Sequence, residues 1–246
     1  MRKYTFILNP SAGKGAARKL RSKLFDAIRS RTSDFEFHET NQPGDATEIA
    51  RQTASPIVVA IGGDGTVHEV ANGIIGSEKV LGIVPVGSGN DFIKSIGVPR
   101  EILSSLSCIF RHQTRIVDAG RVEVRANRSG LGGNSSVSHF VNGVGIGFDA
   151  AVAEKTRRIN YASGTLLYLI AVLQTLGKYK SPDFTISIDG RQVRSRNLLI
   201  AVGNGVCAGG GFYLTPDAVV DDGQLDVCTI EEIPVAKILA LMPKVM

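Results

Sequence analysis

The sequence predicts an α/β chain with two parts: a doubly wound parallel sheet over residues 1–113 and a β-rich, sandwich-like domain over 114–246. Three observations lead there. Ile57–Ile61 and Val80–Val84 are continuous apolar runs of buried-strand length. Each breaks directly into glycine, as Gly62-Gly63-Asp64-Gly65-Thr66 and as Pro85-Val86-Gly87-Ser88-Gly89-Asn90-Asp91. Strand and helix patterns alternate up to residue 97, whereas the chain beyond residue 114 reads as strands with turns at Asp189-Gly190 and Asp222-Gly223.

In order, Tyr4–Leu8 reads as a strand ending in Asn9-Pro10-Ser11-Ala12-Gly13-Lys14-Gly15. A helix follows over about Ala16–Arg31, with Leu20, Leu24, Ala27 and Ile28 at helical spacing. Its Arg18, Lys19, Arg21 and Lys23 read as a solvated face. Phe35–His38 is a short strand reaching Thr40, and Gly44-Asp45 opens a helix through Thr53. The strand Ile57–Ile61 leads through its glycines to a helix over Val67–Ile75, and a last helix covers Glu101–Arg111. In the second part, strands are expected at Thr114–Val124, Val137–Val144, Phe184–Ile188, Val193–Gly203 and Leu225–Ile230. A polar hairpin loop, Arg125–Ser136, joins the first two. Helices are expected at Gly164–Leu176 and Val235–Met246.

Composition sets the class. The 246 residues are 43% hydrophobic and 21% charged, a globular balance rather than a disordered one. A net charge of +5 suits anionic partners: phosphates, nucleic acid or an acidic membrane surface. Cys108, Cys207 and Cys228 are odd in number and lack CxxC spacing, which predicts a reduced, cytoplasmic protein. The N-terminus has no signal-peptide pattern, and the longest apolar stretch, Leu166–Leu173, is far short of the roughly 20 residues of a spanning helix.

In open α/β sheets, ligands bind at the carboxyl ends of the strands. Asn9–Gly13, Thr40, Gly62–Thr66 and Gly87–Asn90 all fall there. Glycines let the backbone approach a ligand and aim N–H groups at it, and the helix after residue 66 adds a positive dipole end. The agreement of four strand ends predicts a phosphate-bearing nucleotide. Asp64 either orients Mg²⁺ on those phosphates or caps the helix.

Other motifs fail. GxxxxGK[ST] is absent because residue 8 is leucine and residue 15 glycine, and HExxH is absent because residue 72 is asparagine. The four histidines form no zinc cluster. Gly143-Val144-Gly145-Ile146-Gly147 places its third glycine one residue early for a dinucleotide fingerprint. Asp221-Asp222-Gly223 is a turn, or else a hard-cation site of one carboxylate with nearby carbonyls.

Taken together, Asn9-Pro10-Ser11-Ala12-Gly13, GGDGT at 62–66 with Asn72-Gly73, and Pro85–Phe92 resemble the diacylglycerol kinase catalytic domain family, above all its soluble bacterial lipid kinases. The resemblance continues through Val117–Gly120, Phe140–Asp149, Ala208–Phe212 with Pro216-Asp217-Ala218, and Asp221–Asp226. It implies an ATP-dependent lipid kinase that moves the γ-phosphoryl group onto a lipid hydroxyl, with Mg²⁺, at the inner membrane surface of the cytoplasm. Nucleic acid is not an implied partner, and a homodimer is compatible with it.

By that resemblance Asn9, Pro10, Ser11, Ala12, Gly13, Thr40, Gly62, Gly63, Asp64, Gly65, Thr66, Val67, His68 and Ser88 contact ATP. Asp118 matches a family acidic position implicated in activity, Asp64 and Asp118 are the surviving candidates for catalytic carboxylates, and Lys94 stands where a functional basic residue can occur. Asp222, with the carbonyls of Val219 and Gln224, matches a structural Mg²⁺ site. Arg157, Arg158, Lys178 and Lys180 are candidates for docking an anionic bilayer. One departure stands out: none of the Asp-Gly pairs at 64–65, 189–190 and 222–223 is followed by the glutamate of the family's Asp-Gly-Glu motif. The second domain is accordingly expected to be incomplete. An NAD kinase-like enzyme and a non-catalytic nucleotide or lipid sensor are the competing readings.

Overall fold

A computed structural model describes residues 3–125, 135–156, 159, 164–234 and 236–238. The chain divides into two compact units, Met1–Val141 and Asn142–Met246.

The first unit is built on four parallel strands: β1 (Tyr4–Leu8), β2 (Phe35–Glu39), β3 (Ile57–Gly62) and β4 (Val80–Pro85), in the order β2-β1-β3-β4. The alternation of strand side chains explains the layers. Tyr4, Phe6 and Leu8 of β1 and Val59 and Ile61 of β3 face α1 (Ala12–Arg29) and α5 (Ile102–Phe110), packing on Leu24, Ile28 and Leu106. On the other face lie α2 (Asp45–Gln52) and α3 (Asp64–Ile74), which bury Ala46, Ala50, Val67, Val70 and Ile74. These two helices pack closely because residue 73 is glycine: a Cβ there would lie 2.5 Å from the carbonyl oxygen of Thr47 and 2.7 Å from Ala50 Cβ. The regular part of α1 begins at Ala16, as the sequence predicts, since Gly13, Lys14 and Gly15 all have left-handed backbone angles.

Three boundaries differ from expectation. The segment Thr114–Ala119 is not a strand, and β5 begins only at Gly120, running to Arg125. The expected strand Val137–Val144 is two strands, β6 (Ser135–Phe140) and β7 (Gly143–Gly147), interrupted at Val141-Asn142. A short helix α4 (Phe92–Ile96) and α6 (Phe148–Thr156) were not anticipated. The division between units also falls at Val141/Asn142 instead of near residue 114, because β5 and β6 form an antiparallel ribbon fixed to α3. Asn72 makes that attachment: its Nδ2 donates to the His139 carbonyl (2.9 Å), and its Oδ1 accepts from the His139 N–H (2.9 Å). One amide side chain thus supplies the pairing that a neighbouring strand would give.

In the second unit, β9 (Arg191–Gly203) is the central strand. Its exposed first half pairs with β8 (Asp183–Ile188) through the Asp189-Gly190 turn, and its buried second half lies between β7 and β10 (Asp226–Glu231). All pairings are antiparallel. Phe148 and Val152 of α6 and Ala171, Val172 and Leu176 of α7 (Gly164–Leu176) form a core with Leu198 and Phe212. The sheet also carries a groove of about 730 Å³ lined by Ile146, Ile186, Ile188, Ile200 and Val227, among others. Residues 126–134 of the expected loop, Arg157, Arg158, and 235 and 239–246 of the expected last helix lie outside the described residues; 236–238 are helical.

Replacing Asn72 by alanine leaves the His139 N–H and carbonyl without their partner. It should cost about 2 kcal/mol of unfolding free energy, read as a lowered urea midpoint. Asn72→Asp, which keeps the acceptor, should cost less.

Candidate functional site

The parallel register sets the four strand ends level: Leu8 pairs with Glu39 and Ile61, and Ile61 with Val84. The chain leaves β1 for β2 on one side and returns to β3 on the other, so the switch point lies between the ends of β1 and β3. Asn9 follows the first of these and Gly63 the second, with Thr40 after β2 and Val86 after β4. Thr40 is held by its N–H on the Leu8 carbonyl (2.9 Å).

Asn9 knits the first loop and ties it to the second. Its Oδ1 accepts from the Ser11 N–H (3.0 Å), its carbonyl from the Ala12 N–H (3.1 Å), and its Nδ2 donates to Thr66 Oγ1 (3.1 Å). Pro10 is buried and Ser11 exposed. Ser11 is right-handed and Gly13–Gly15 are left-handed, and the loop is tied to itself again by the Gly15 N–H on the Ser11 carbonyl (3.2 Å).

The Gly62–Thr66 turn is shaped by contact with the loop after β4. A Cβ on Gly87 would collide with Gly63 Cα, and one on Gly62 with Thr66 Oγ1. The Gly62 carbonyl accepts from both Val86 N–H (2.8 Å) and Gly87 N–H (3.2 Å). Asn90, 4% exposed with a left-handed backbone, closes the second loop on itself, its Oδ1 accepting from Gly87 N–H (3.1 Å) and its Nδ2 donating to the Gly87 carbonyl (2.8 Å).

Asp64 joins the two loops. Its Oδ1 accepts from the N–H groups of Asp91 (2.9 Å) and Phe92 (3.4 Å). Burial first, and then the neighbouring Asp91 carboxylate, push its pKa above the ordinary carboxyl value, against the opposing pull of the Phe92, Asp91 and Asn90 N–H groups. Asp91 in turn receives Lys94 Nζ at 3.0 Å. The sequence left Asp64 as either a metal-orienting group or a helix cap. In this structure it makes neither contact with its own helix's first N–H groups nor a side-chain cap, and it binds the other loop instead.

Helix α3 begins at Asp64, three residues before the sequence reading, so the glycine loop is its first turn. Thr66 N–H and Val67 N–H both bond to the Gly63 carbonyl (2.9 and 3.1 Å). Among the described residues, nothing accepts from the N–H groups of Gly63, Asp64 or Gly65. These unpartnered donors at a helix start favour an anion. Gly65, His68 and Ser88 are exposed beside them, whereas Val67 is 4% exposed and its side chain belongs to the core. Any contact Val67 makes with a ligand is through the backbone.

Asp118 lies half-buried just ahead of β5. In the second unit, Asp222 makes a local turn, its Oδ1 accepting from Gln224 N–H (2.9 Å) with Gly223 left-handed. The Asp222 carboxylate and the carbonyls of Val219 and Gln224 lie on this exposed turn. No group of three or more His, Cys, Asp or Glu is placed to hold a metal among the described residues. The sequence reading placed Asn90 in a strand-end loop and Asn72 in a motif but did not give their partners, which are backbone groups that no spacing rule identifies.

Asp64→Ala should destabilise the protein by about 2 kcal/mol, since two loop N–H groups lose their acceptor. Asp64→Asn keeps the oxygen and should fall within about 1 kcal/mol of the parent at neutral pH. The pH dependence has a definite sign. A carboxyl with a raised folded pKa contributes stability that is full below its unfolded value of about 4 and lost as pH rises through the folded value. The gap between Asp64→Asn and the parent should therefore move in favour of the variant on going from pH 4 to neutrality, as measured by denaturant titration.

Comparison with known proteins agrees with this geometry. The model of the diacylglycerol kinase catalytic domain matches residues 3–122, and that of the YegS C-terminal NAD kinase beta sandwich-like domain matches residues 142–246. The chain is 26% identical over 246 residues to a diacylglycerol kinase of Bacillus subtilis (strain 168), covering 97% of this chain and 77% of the relative. It is 32% identical over 225 residues to a "Probable lipid kinase YegS-like" of Klebsiella pneumoniae (strain 342), covering 89% and 71%. A crystal structure of a diacylglycerol kinase from Bacillus anthracis str. Sterne is similar with a TM-score of 0.70 at 25% identity, covering 97% of this chain and 79% of that one. With a catalytic-domain match on the first unit and a YegS-type match on the second, the chain belongs to the diacylglycerol kinase family of lipid kinases.

Proposed function

We propose that this protein transfers the γ-phosphoryl group of ATP to the hydroxyl of a diacylglycerol-like lipid. The observation that carries the reading is the pair of glycine loops at one sheet edge, closed on each other by Asp64 and presenting the unpartnered N–H groups of Gly63, Asp64 and Gly65. Family membership turns that phosphate site into a kinase site.

The loops position the nucleotide. Backbone N–H groups after β3 hold phosphate oxygens, with the Asn9–Gly13 loop alongside, and the hydroxyls of Thr66 and Ser88 and the exposed His68 border them. Holding the donor rigidly and meeting developing charge with fixed dipoles is how phosphoryl transfer is catalysed. Mg²⁺ bound with ATP would neutralise charge on the phosphates. A carboxylate takes the proton that the attacking hydroxyl loses. Asp64, whose proton affinity burial raises, is our candidate, with Asp118 the second. The Val219–Asp222–Gln224 turn would hold a second, structural Mg²⁺ through one carboxylate and two carbonyls. No helix among the described residues is long and apolar enough to cross a membrane. The lipid acceptor of this reading is what would bring the protein to the inner membrane surface as a peripheral enzyme. Lys178 and Lys180 flank the exposed end of α7, where they can meet anionic lipid.

The test is phosphoryl transfer from labelled ATP, with Mg²⁺, to a panel of lipids in mixed micelles and to NAD. The reading expects a lipid product and none from NAD, with Asp64→Asn at least 100-fold slower than the parent while folded. Turnover of NAD alone, or ATP binding with no transfer to any acceptor, would overturn it.

A further inference from the structure

The loop after β2 is shaped by one carboxylate. Asp45, the first residue of α2, turns back on the chain before it. Its Oδ2 accepts from the N–H groups of Asn41 (2.8 Å) and Gln42 (3.1 Å), and its own N–H donates to the Gln42 carbonyl (3.3 Å). Gly44 lets the chain close that turn, with a φ of 94° and open space where a Cβ would stand. The N–H groups of Asn41 and Gln42 hold the Asp45 carboxyl below its ordinary value, so the latch is made by the anion at neutral pH.

The helix that carries this carboxylate is pinned at both ends. At its start, Ala46 N–H donates to Glu69 Oε2 (3.2 Å) and Thr47 Oγ1 to the Glu69 carbonyl (2.9 Å), which fastens α2 to the second turn of α3. At its end, Lys79 Nζ donates to the carbonyls of Ala50 (2.8 Å) and Arg51 (2.9 Å), and Thr53 Oγ1 pairs with Thr5 Oγ1 of β1 at 2.7 Å. Through Asp45, the loop Thr40–Gly44 is therefore held in a fixed place relative to the glycine turn that starts α3.

A nucleotide whose phosphates sit on the N–H groups of Gly63, Asp64 and Gly65 must send its sugar and base along the strand ends in one direction. Toward β4 the way is filled. A Cβ on Gly87 would collide with Gly63, one on Gly13 with the Val86 carbonyl, and Val86, Asn90 and Asp91 are buried. Toward β2 it is open, since Asn41, Gln42, Pro43 and Gly44 are exposed and Thr40 is half-buried. β2 lies two strand spacings from β3, about 10 Å, a reach that fits the phosphate-to-sugar length of a nucleotide. The Thr40 hydroxyl and the Asn41 side-chain amide have no hydrogen-bond partner among the described residues, and they offer polar groups to a ribose or a base.

We propose that Asp45 is a positioning residue for nucleotide binding: it sets the loop Thr40–Gly44 as the wall against which the ribose and base of ATP lie. The phosphates stay on the turn after β3. The proposal rests on the ATP reading of that turn and deepens it with a residue that no motif assigned. Asp45 should therefore matter to a nucleoside triphosphate and not to a bare triphosphate.

The test compares ATP with inorganic tripolyphosphate, each with Mg²⁺, by titration calorimetry on the full chain. Asp45→Ala should weaken ATP by about 10-fold or more and leave tripolyphosphate within about threefold of the parent. Asp45→Asn keeps an oxygen acceptor toward Asn41 and Gln42 and should restore ATP to within about threefold. In the parent protein, the amide resonances of Asn41 and Gln42 should shift on adding ATP and stay in place on adding tripolyphosphate, a readout that needs no variant. Unchanged ATP affinity in Asp45→Ala, equal weakening of both ligands, or saturation by ATP without movement of the Asn41 and Gln42 resonances overturns the positioning role while the phosphate site stands. A parent protein that binds neither ligand overturns the phosphate-site reading and the positioning role together.

Discussion

The Asp64 carboxylate holding the N–H groups of Asp91 and Phe92 is the contact on which the candidate phosphate site depends. Loops of small residues have few side chains with which to pack, so beyond the two bonds to the Gly62 carbonyl this carboxylate is what ties them together. The carboxylate fixes the loop after β4 against the first turn of α3, and the close approach of Gly63 to Gly87 becomes possible. With the loops closed, the N–H groups of Gly63, Asp64 and Gly65 lie at a helix start without partners among the described residues. The same burial that makes the clamp firm raises the proton affinity of Asp64. A group with that property can both hold structure and handle a proton.

Everything beneath the clamp serves to keep it level. Parallel register aligns the ends of β1, β2, β3 and β4, and the strand order puts the switch point between β1 and β3. The core of Phe6, Leu8, Ile61, Val84, Leu24 and Leu106 fixes the strands from one side, and α2 and α3 cover the other. Asn72 then fastens the β5–β6 ribbon to the helix that starts at Asp64. The second unit uses glycine differently. There its absent side chains make room for a carboxylate and a small cavity instead of a loop-to-loop contact.

The sequence disclosed the first sheet well because strands buried on both faces leave an unbroken apolar signature, as in Ile57–Ile61 and Val80–Val84. It disclosed the strand-end loops because glycine clusters directly follow those runs. What it concealed were features set by distant partners. The Val137–Val144 run reads as one strand only if its Asn142-Gly143 pair is passed over, and the chain divides there, the Asn142 carbonyl being claimed by Asn204 and Gly205. Helix α4 is too short to show periodicity. The role of Asp64 lay hidden because its ligands are backbone groups of another loop, and a backbone N–H has the same identity in every residue but proline. The partners of Asn90 and Asn72 escaped for the same reason.

The most direct test of the paired-loop account is amide hydrogen exchange with and without Mg–ATP. The account predicts that nucleotide slows exchange in Asn9–Gly15, Gly62–Val67 and Val86–Asn90, with the rest of the first sheet unchanged. Saturable ATP binding that leaves these three segments exchanging as before, or protects only other parts of the chain, would contradict it.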